Sequence, residues 1–373
     1  MADKNFLVLL IDDDELLLRA LKRTLSRILP HWAVETLQDA HQLTERLSKG
    51  TLPDVVFTDR LMPGIHGEQV LQQVQQLSPM ALRCILTADN SADLLVQDTA
   101  LIHFFLAKPF TDEQLLQVFA CAELLQALNF SAAERAYLGR LSVLPVLPPL
   151  YQKIEATLHK AEFQLKDIAE LISHDPVVSS RLLQLANSAF LGFSRSTISL
   201  TEAINRLGLD MMKSVILALK SGLIYQNHLS TAQHQRITEQ AFHQACLARY
   251  LCKQADLGSE IQDYAFLVSL LDCLGWMAEH LQQPSMADED ACHFSMISAY
   301  LLTLWGFEQS IVQAVILPDE LSDCSSIPGV VHWLAHKAAQ HKDFQLNEND
   351  QHIVESLQLY PAWTELQASL KTS

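Results

Sequence analysis

The sequence lacks the features that would place the protein in a membrane, on nucleic acid or in a disulfide framework. No apolar stretch reaches the roughly 18 residues of a membrane span, so we expect no membrane insertion. The 26 Lys and Arg residues are outnumbered by 43 Asp and Glu and form no cluster, which argues against DNA binding. The 7 cysteines include no Cys-x-x-Cys pair and are typical of reduced thiols. The N-terminus leads straight into an apolar run and leaves no room for a signal peptide, so we expect a cytoplasmic protein.

The sequence does contain polar residues placed directly after apolar runs. Residues 6–11 are long enough and apolar enough for one buried strand, and Asp12, Asp13 and Asp14 follow at once. Carboxylates so close together repel one another unless a cation lies between them. Asp14 has a simpler explanation, because an acidic residue there favours the N-terminus of the helix that follows.

Further apolar runs precede Asp59, Thr87 and Lys108, and helical segments separate them. This alternation predicts a parallel, doubly wound α/β sheet. Ligands bind at the carboxyl edge of such a sheet, so we expect these side chains to meet there. The predicted elements are strands at 6–11, 33–37, 54–58, 82–86 and 102–106 and helices at 15–29, 39–48, 67–77, 91–98 and 112–128, the last opening on a capping box at Thr111–Gln114.

The order, spacing and chemistry of these residues resemble the CheY-like receiver domain of two-component response regulators, which has a flavodoxin-like fold. The resemblance covers about residues 5–125. It implies that Asp59 is the phosphoacceptor and takes a phosphoryl group from a sensor histidine kinase or a phosphotransfer protein. It also implies a Mg²⁺ ion held by Asp12, Asp13, Asp59 and the backbone carbonyl of Leu61.

The same resemblance gives roles to three residues at the other strand ends. Lys108 would pair with the new phosphoryl charge, and the Thr87 hydroxyl would hydrogen-bond to it. Phe105 stands at the position of the switch aromatic, whose ring turns inward when Thr87 moves. Some receiver-like domains have lost the acids and are not phosphorylated, but here every key position holds a competent residue.

From about residue 150 onward, amphipathic helical segments follow one another without a clear strand, which predicts an all-α region. Leu144–Pro149, Ile168–Pro176, Arg181–Phe190 and Ile198–Gly208 resemble the HDOD domain, an all-α output module related to HD-family phosphohydrolases. The resemblance covers about residues 141–335 and implies a non-catalytic domain that acts through protein–protein contacts. A capping box is predicted at Ser199–Glu202.

HD-family hydrolases hold their metal with a His, a His-Asp pair and a further Asp. His243 matches the first position and Asp272 the acid of the pair, but Leu271 replaces the second His. Because leucine cannot bind a metal, we expect a degenerate remnant without a cofactor. The alternative is a phosphohydrolase or phosphodiesterase acting on a cyclic dinucleotide, or a regulator of such an enzyme.

A second histidine pair, His332 and His336, is spaced by one helical turn, a geometry that can bind zinc. No glutamate lies between them, and a surface or semi-buried pair on an amphipathic helix is the simpler interpretation. His341 is five residues further on, and we expect it to face elsewhere.

These observations predict a multidomain chain with a receiver domain at 1–125, a helical linker at 126–140, an HDOD domain at 141–340 and a C-terminal helical extension at 341–373. The expected partners are the kinase or phosphotransfer protein and a downstream protein, for which a cyclic-di-GMP enzyme stays open. A homodimer also stays open.

Overall fold

The structure is a computed structural model, which describes residues 6–88, 101–141, 144, 148–158, 163–188, 191–193, 195–222, 230–282, 291–324, 326–341 and 344–372. The helix predicted at 91–98 lies outside the described residues. The chain divides into two compact units. The first comprises Met1–Val143, Asn187–Ser194 and Leu304–Gly306, and the second comprises Leu144–Ala186, Arg195–Thr303 and Phe307–Ser373. The predicted domain boundaries stay a prediction.

A parallel five-stranded sheet forms the centre of the first unit, in the order β2-β1-β3-β6-β7. Its strands are β1 (Phe6–Ile11), β2 (Trp32–Leu37), β3 (Val55–Asp59), β6 (Leu82–Thr87) and β7 (Phe104–Ala107). The predicted doubly wound α/β fold is confirmed. A short antiparallel hairpin, β4 (Leu61–Met62) and β5 (Ile65–His66), occupies a segment in which the sequence predicts neither a strand nor a helix.

The strand register explains why the polar side chains meet. Ile11 pairs with Thr58, Asp59 pairs with Leu86, and Thr87 pairs with Ala107. Because all these pairs are parallel, the strands end at nearly the same height. The strands are apolar along most of their length because both faces of a parallel sheet are covered.

Four described helices accompany the sheet, and their ends follow the capping rules. They are α1 (Glu15–Ile28), α2 (Leu43–Lys49), α3 (Gly67–Leu77) and α4 (Asp112–Ala127). The predicted cap of α1 is confirmed, since Asp14 accepts hydrogen bonds from the backbone amides of Leu16 and Leu17. The capping box of α4 at Thr111 and Gln114 is also present.

A fifth helix, α5 (Ala132–Arg140), lies in the segment predicted as a linker and packs firmly on the first unit. Arg83 on β6 is fully buried and donates to the Gly139 carbonyl at 3.0 Å and the Leu101 carbonyl at 2.6 Å. Its Nη2 atom lies 2.9 Å from Nε2 of His103, just before β7. The guanidinium therefore ties α5 to the sheet.

The second unit consists of helices, and no strand occurs among its described residues. They are α6 (Pro148–Leu158), α7 (Leu165–Ser173), α8 (Pro176–Ala186), α9 (Leu200–Leu207), α10 (Leu209–Gly222), α11 (Thr231–Gln254), α12 (Ser259–Leu271), α13 (Cys273–Gln282), α14 (Ala291–Leu304), α15 (Gln309–Val315), α16 (Ile327–Gln340), α17 (Glu348–Ser356) and α18 (Tyr360–Thr372). The predicted all-α region is confirmed. In the described part of the chain, no helix combines the length and apolarity needed to cross a membrane.

The predicted capping box of α9 is only half formed. Ser199 accepts a hydrogen bond from the Glu202 amide, but the Glu202 carboxylate turns to Thr197 and Arg206. The Ser199 amide donates instead to the Thr197 hydroxyl. The Thr197 hydroxyl and the Arg206 guanidinium thus bind the Glu202 carboxylate, and the bond from the Ser199 amide to this carboxylate does not form.

The core of the second unit includes the last two helices. Trp333 on α16 and Trp363 on α18 are both buried in one apolar cluster, together with Val354 on α17. The segment predicted as a C-terminal extension is therefore helical and contributes to this core.

Candidate functional site

Three of the predicted residues form a charge cluster at the carboxyl edge of the sheet. The Lys108 ammonium lies 3.0 Å from Oδ2 of Asp12 and 2.5 Å from Oδ1 of Asp59. The side chains are only 23% exposed for Lys108, 4% for Asp12 and 15% for Asp59. One ammonium group thus lies between two carboxylates in largely buried positions and offsets part of their charge.

The backbone around Asp59 fixes the direction of its carboxylate. Oδ2 accepts a hydrogen bond of 2.8 Å from the Leu61 amide. The N-terminus of α3 comes very close, because a Cβ atom built on Gly67 would lie 2.5 Å from the Asp59 carbonyl oxygen. Only glycine, which has no Cβ atom, permits this close approach. Gly67 thus allows the chain to turn directly after Asp59.

The three consecutive acids after β1 occupy three different environments. Asp12 is buried, and its Oδ1 accepts a 2.9 Å hydrogen bond from the Asp14 amide. Asp13 is exposed, and its backbone carbonyl accepts from Gln38. Asp14 caps α1. The structure therefore separates one buried acid, one accessible acid and one helix cap.

Burial and charge shift two pKa values in this cluster. Burial raises the pKa of Asp12 and outweighs the hydrogen bonds from the Asp14 amide and Lys108, which lower it. For Lys108, burial lowers the pKa, but its bonds to Asp59 and Asp12 prevail and raise it. Lys108 is therefore charged at neutral pH, while Asp12 lies in a position where additional positive charge is favourable.

The two predicted switch residues lie on neighbouring strands of the sheet. Thr87 is buried at the end of β6, and its carbonyl accepts a 2.7 Å hydrogen bond from the Lys108 amide. Phe105 on β7 is 5% exposed, so its ring already lies in the interior. The Lys108–Pro109 peptide bond is cis.

The oxygen-only donor set at this edge suits a hard cation such as Mg²⁺, and the burial of Asp12 supplies a reason for one to bind. Within the described residues, however, no group of three or more His, Cys, Asp or Glu side chains is already arranged around a metal position. Lys108 occupies the space between Asp12 and Asp59 instead.

The second unit contains a cavity of about 530 Å³. Both residues of the predicted HD remnant, His243 and Asp272, line it, whereas Leu271 is fully buried in the core. Several lining residues were not foreseen from the sequence. The described lining consists of Ile237, Gln240, Ala241, His243, Gln244, Ser269, Asp272, Cys273, Trp276, Phe294, His336, Ala339, Gln340 and His341.

The interpretation of His332 and His336 as a surface or semi-buried pair is wrong. His332 is fully buried, and His336 is 9% exposed. Oδ2 of Asp272 lies 3.9 Å from Nε2 of His332 and 4.0 Å from Nδ1 of His336. Nδ1 of His332 lies 3.1 Å from the Ser269 hydroxyl. Helices α12 and α16 thus bring together residues that are 60 or more positions apart in the sequence.

His341 also lines this cavity, contrary to the expectation that it faces elsewhere. That expectation assumed that the helix continues through residue 341. In fact α16 ends at Gln340, and His341 has extended backbone angles, with φ of −135° and ψ of 103°. The change of direction brings its side chain back toward the side of His336.

Comparison with known proteins identifies two family matches. Residues 8–120 match the model of the response regulator receiver domain, and residues 144–290 match that of the HDOD domain. Each match is confined to one of the two predicted domains. The matched segments contain the strand-end cluster in the first case and the residues His243 and Asp272 in the second.

Individual relatives are similar over part of the chain. The C4-dicarboxylate transport transcriptional regulatory protein DctD of Pseudomonas aeruginosa is 38% identical over 115 residues, which are 31% of this chain and 24% of that protein. An uncharacterized protein of Treponema pallidum is 27% identical over 147 residues, 39% of this chain and 28% of that protein. The chain thus spans about a quarter of the length of these curated relatives. The crystal structure of the MmoQ response regulator from Methylococcus capsulatus is 21% identical with a TM-score of 0.47, and the match covers 61% of this chain and 97% of that one.

Proposed function

We propose that this chain is a response regulator that is phosphorylated on Asp59 by a sensor histidine kinase or a phosphotransfer protein. The match of residues 8–120 to the receiver domain and of residues 144–290 to the HDOD domain supports this proposal. The observation that carries the proposal is the contact of Lys108 with both Asp59 and Asp12. Phosphoryl transfer depends mainly on positioning and on neutralising oxygen charge, and this cluster provides both.

The reaction would proceed by attack of one Asp59 carboxylate oxygen on the phosphorus of a phosphohistidine. A P–O bond forms, the P–N bond breaks, and the imidazole leaves. The Leu61 backbone amide donates to Oδ2 of Asp59 and holds the carboxylate in place. The Lys108 ammonium already lies 2.5 Å from Asp59 and would form an ion pair with the phosphoryl oxygens after the transfer.

Mg²⁺ would be held by Asp12, Asp13, Asp59 and the Leu61 carbonyl, where it would neutralise charge on the transferring phosphoryl group. The buried Asp12 and the exposed Asp13 support this assignment, because the carboxylate of Asp12 is held in place and that of Asp13 is accessible to the ion. The backbone of residue 61 is fixed as well, since its amide is bound to Asp59.

The output would be a change in the surface that the receiver offers to its partners. Thr87 ends β6 and pairs with Ala107, which ends the neighbouring strand β7, and Phe105 lies two residues before Ala107 on that strand. A hydrogen bond from the Thr87 hydroxyl to the phosphoryl group would move Thr87. Because β6 is paired with β7, this movement would act on the strand that carries Phe105. The HDOD domain would act through protein–protein contacts, for which the buried Leu271 in place of a metal-binding histidine is the supporting observation.

The test is phosphorylation of the full chain by a small phosphodonor with Mg²⁺, followed by intact-mass measurement. Wild-type protein should gain one base-labile phosphoryl group, and Asp59→Asn should gain none, because an amide is not a nucleophile here. Asp39→Asn is the matched control, since Asp39 is exposed on the same unit and Asn retains its capping role. Equal labelling of Asp59→Asn and wild type would refute the assignment.

A further inference from the structure

The cavity of the second unit lies outside the cluster at Asp59 and takes no part in phosphoryl transfer. Its volume of about 530 Å³ falls within the roughly 300–1,000 Å³ of small-molecule sites. Its walls come from α11, α12, α13, α14 and α16, and a pair of aromatic rings, Trp276 and Phe294, forms one side in a T-shaped contact at 6.3 Å. A polar centre with an apolar wall is the usual composition of a ligand site.

Asp272 is the one carboxylate among the described lining residues, and none of those residues is Lys or Arg. Burial raises its pKa to about 7 and outweighs the hydrogen bond from the Gln244 side chain, which lowers it, so a cation bound beside Asp272 would favour its ionised form. The nearest imidazole nitrogens, of His332 and His336, lie 3.9 and 4.0 Å away, beyond hydrogen-bond distance. Burial lowers the pKa of His332 to about 3 and that of His336 to about 4, so neither is charged at neutral pH. In the described part of the chain, Asp272 therefore has no positively charged neighbour at salt-bridge distance.

His336 independently indicates that a ligand group belongs beside Asp272. Its Nδ1 atom is buried and has no hydrogen-bond partner among the described residues. Leaving such an atom unsatisfied destabilises the folded state, because the atom has lost its hydrogen bonds to water. Because this nitrogen lies 4.0 Å from Oδ2 of Asp272, a single N–H-bearing group placed about 2.9 Å from each would satisfy both.

We propose that the cavity binds a small organic cation, an alkylammonium or alkylguanidinium compound, with Asp272 as its counter-ion. The cationic head donates hydrogen bonds to Asp272 and His336. Its apolar body lies along Trp276 and Phe294, and the aromatic faces add cation–π attraction. The apolar wall of Trp276 and Phe294 beside Asp272 favours an organic cation over a bare metal ion, which would use only the polar centre of the cavity.

The proposal is tested on the full chain by isothermal titration calorimetry with butylguanidinium, butylammonium and the uncharged isostere butylurea. Both cations should bind, and butylurea should bind more weakly by about tenfold or more. Asp272→Asn, which keeps the shape of the side chain and removes its charge, should weaken cation binding by about tenfold or more, equivalent to about 1.4 kcal/mol. Asp210→Asn is the matched control, because it removes the same charge from a fully exposed site on the second unit.

A second variant tests the location without changing any charge. Ala339 lines the cavity but is exposed, so Ala339→Trp places a bulky ring at the opening without disturbing the core. It should abolish cation binding while the melting temperature stays close to that of the wild type. Full cation binding by this variant would move the site elsewhere and overturn the proposal.

Zn²⁺ and Mn²⁺ are titrated in parallel. Asp272-dependent binding of either metal without binding of the organic cations would make the cavity a metal site and overturn the proposal. It is equally overturned if neither cation binds, if butylurea binds as tightly as butylguanidinium, or if Asp272→Asn binds like the wild type. In the first of these three cases the cavity holds water only, and in the other two the charge of Asp272 does not contribute to binding.

Discussion

The ammonium nitrogen of Lys108 lies 2.5 Å from Oδ1 of Asp59, and both side chains are less than a quarter exposed. The same nitrogen also contacts Asp12. A cation between two carboxylates offsets the repulsion between them. The lysine thus has a structural role before any phosphoryl group arrives.

Replacing this lysine should expose the repulsion between the two acids. We expect Lys108→Met to lower the free energy of unfolding at neutral pH by about 3 kcal/mol, because a partly buried ion pair loses one partner. Mg²⁺ should stabilise this variant more than the wild type, since it replaces the lost positive charge. Urea denaturation with and without Mg²⁺ measures both effects.

The matched control is Lys49→Met. Lys49 pairs with Glu45 on the exposed face of α2, where both side chains are more than half exposed. Surface pairs of this kind contribute little, so the change should stay within about 0.5 kcal/mol. Equal losses for the two lysine variants would show that Lys108 has no special electrostatic role.

Asp13 and Asp14 are adjacent, yet substituting them should affect different properties of the protein: Mg²⁺ affinity for Asp13 and stability for Asp14. Asp14→Ala should cost about 1 kcal/mol of unfolding free energy through loss of the α1 cap, with little change in Mg²⁺ affinity. Asp13→Ala should weaken Mg²⁺ binding by about tenfold and leave the metal-free stability nearly unchanged. Calorimetric titration with Mg²⁺ and urea denaturation distinguish them. If both variants lose Mg²⁺ affinity equally, the assignment of Asp13 as the ligand is wrong.

The sheet and its strand-end cluster were predictable because local signals suffice for them. An apolar run marks each buried strand, and the parallel arrangement then brings the following residues to one edge. Asp14 was predictable as a cap for the same reason, since a cap depends on its own chain segment. The hairpin at 61–66 was missed because two-residue strands leave no hydrophobic period in the sequence.

Features that depend on distant contacts were not predictable. The docking of α5 requires Arg83, whose position within an apolar strand gives no indication that it binds the Gly139 carbonyl 56 residues later. The approach of His336 to Asp272 depends on how α12 and α16 pack, which a single sequence does not reveal. The position of His341 depended on where α16 ends.

The docking of α5 leads to a prediction at Gly139. A Cβ atom there would lie 1.9 Å from the Pro79 carbonyl oxygen, so Gly139→Ala forces α5 away from the sheet. We expect a loss of about 1–3 kcal/mol in unfolding free energy and faster hydrogen exchange across residues 132–140. Ala133→Ser also adds one heavy atom to α5, but on its exposed side, and should leave exchange unchanged. Unchanged exchange in Gly139→Ala would mean that α5 tolerates displacement without undocking.

His234 on α11 should make stability depend on pH. It is 3% exposed, its Nε2 has no hydrogen-bond partner among the described residues, and burial lowers its pKa to about 4. In the unfolded chain a histidine titrates near pH 6.5. Between these two values the unfolded state binds a proton that the folded state does not. The stability contribution is therefore complete above about pH 6.5 and is lost as the pH falls toward 4, by up to about 3 kcal/mol.

Urea denaturation of His234→Phe from pH 7 to pH 4 should show a shallower loss than the wild type, whereas the exposed His352→Phe should follow the wild-type slope. Identical slopes for all three proteins would mean that folding does not shift the pKa of His234.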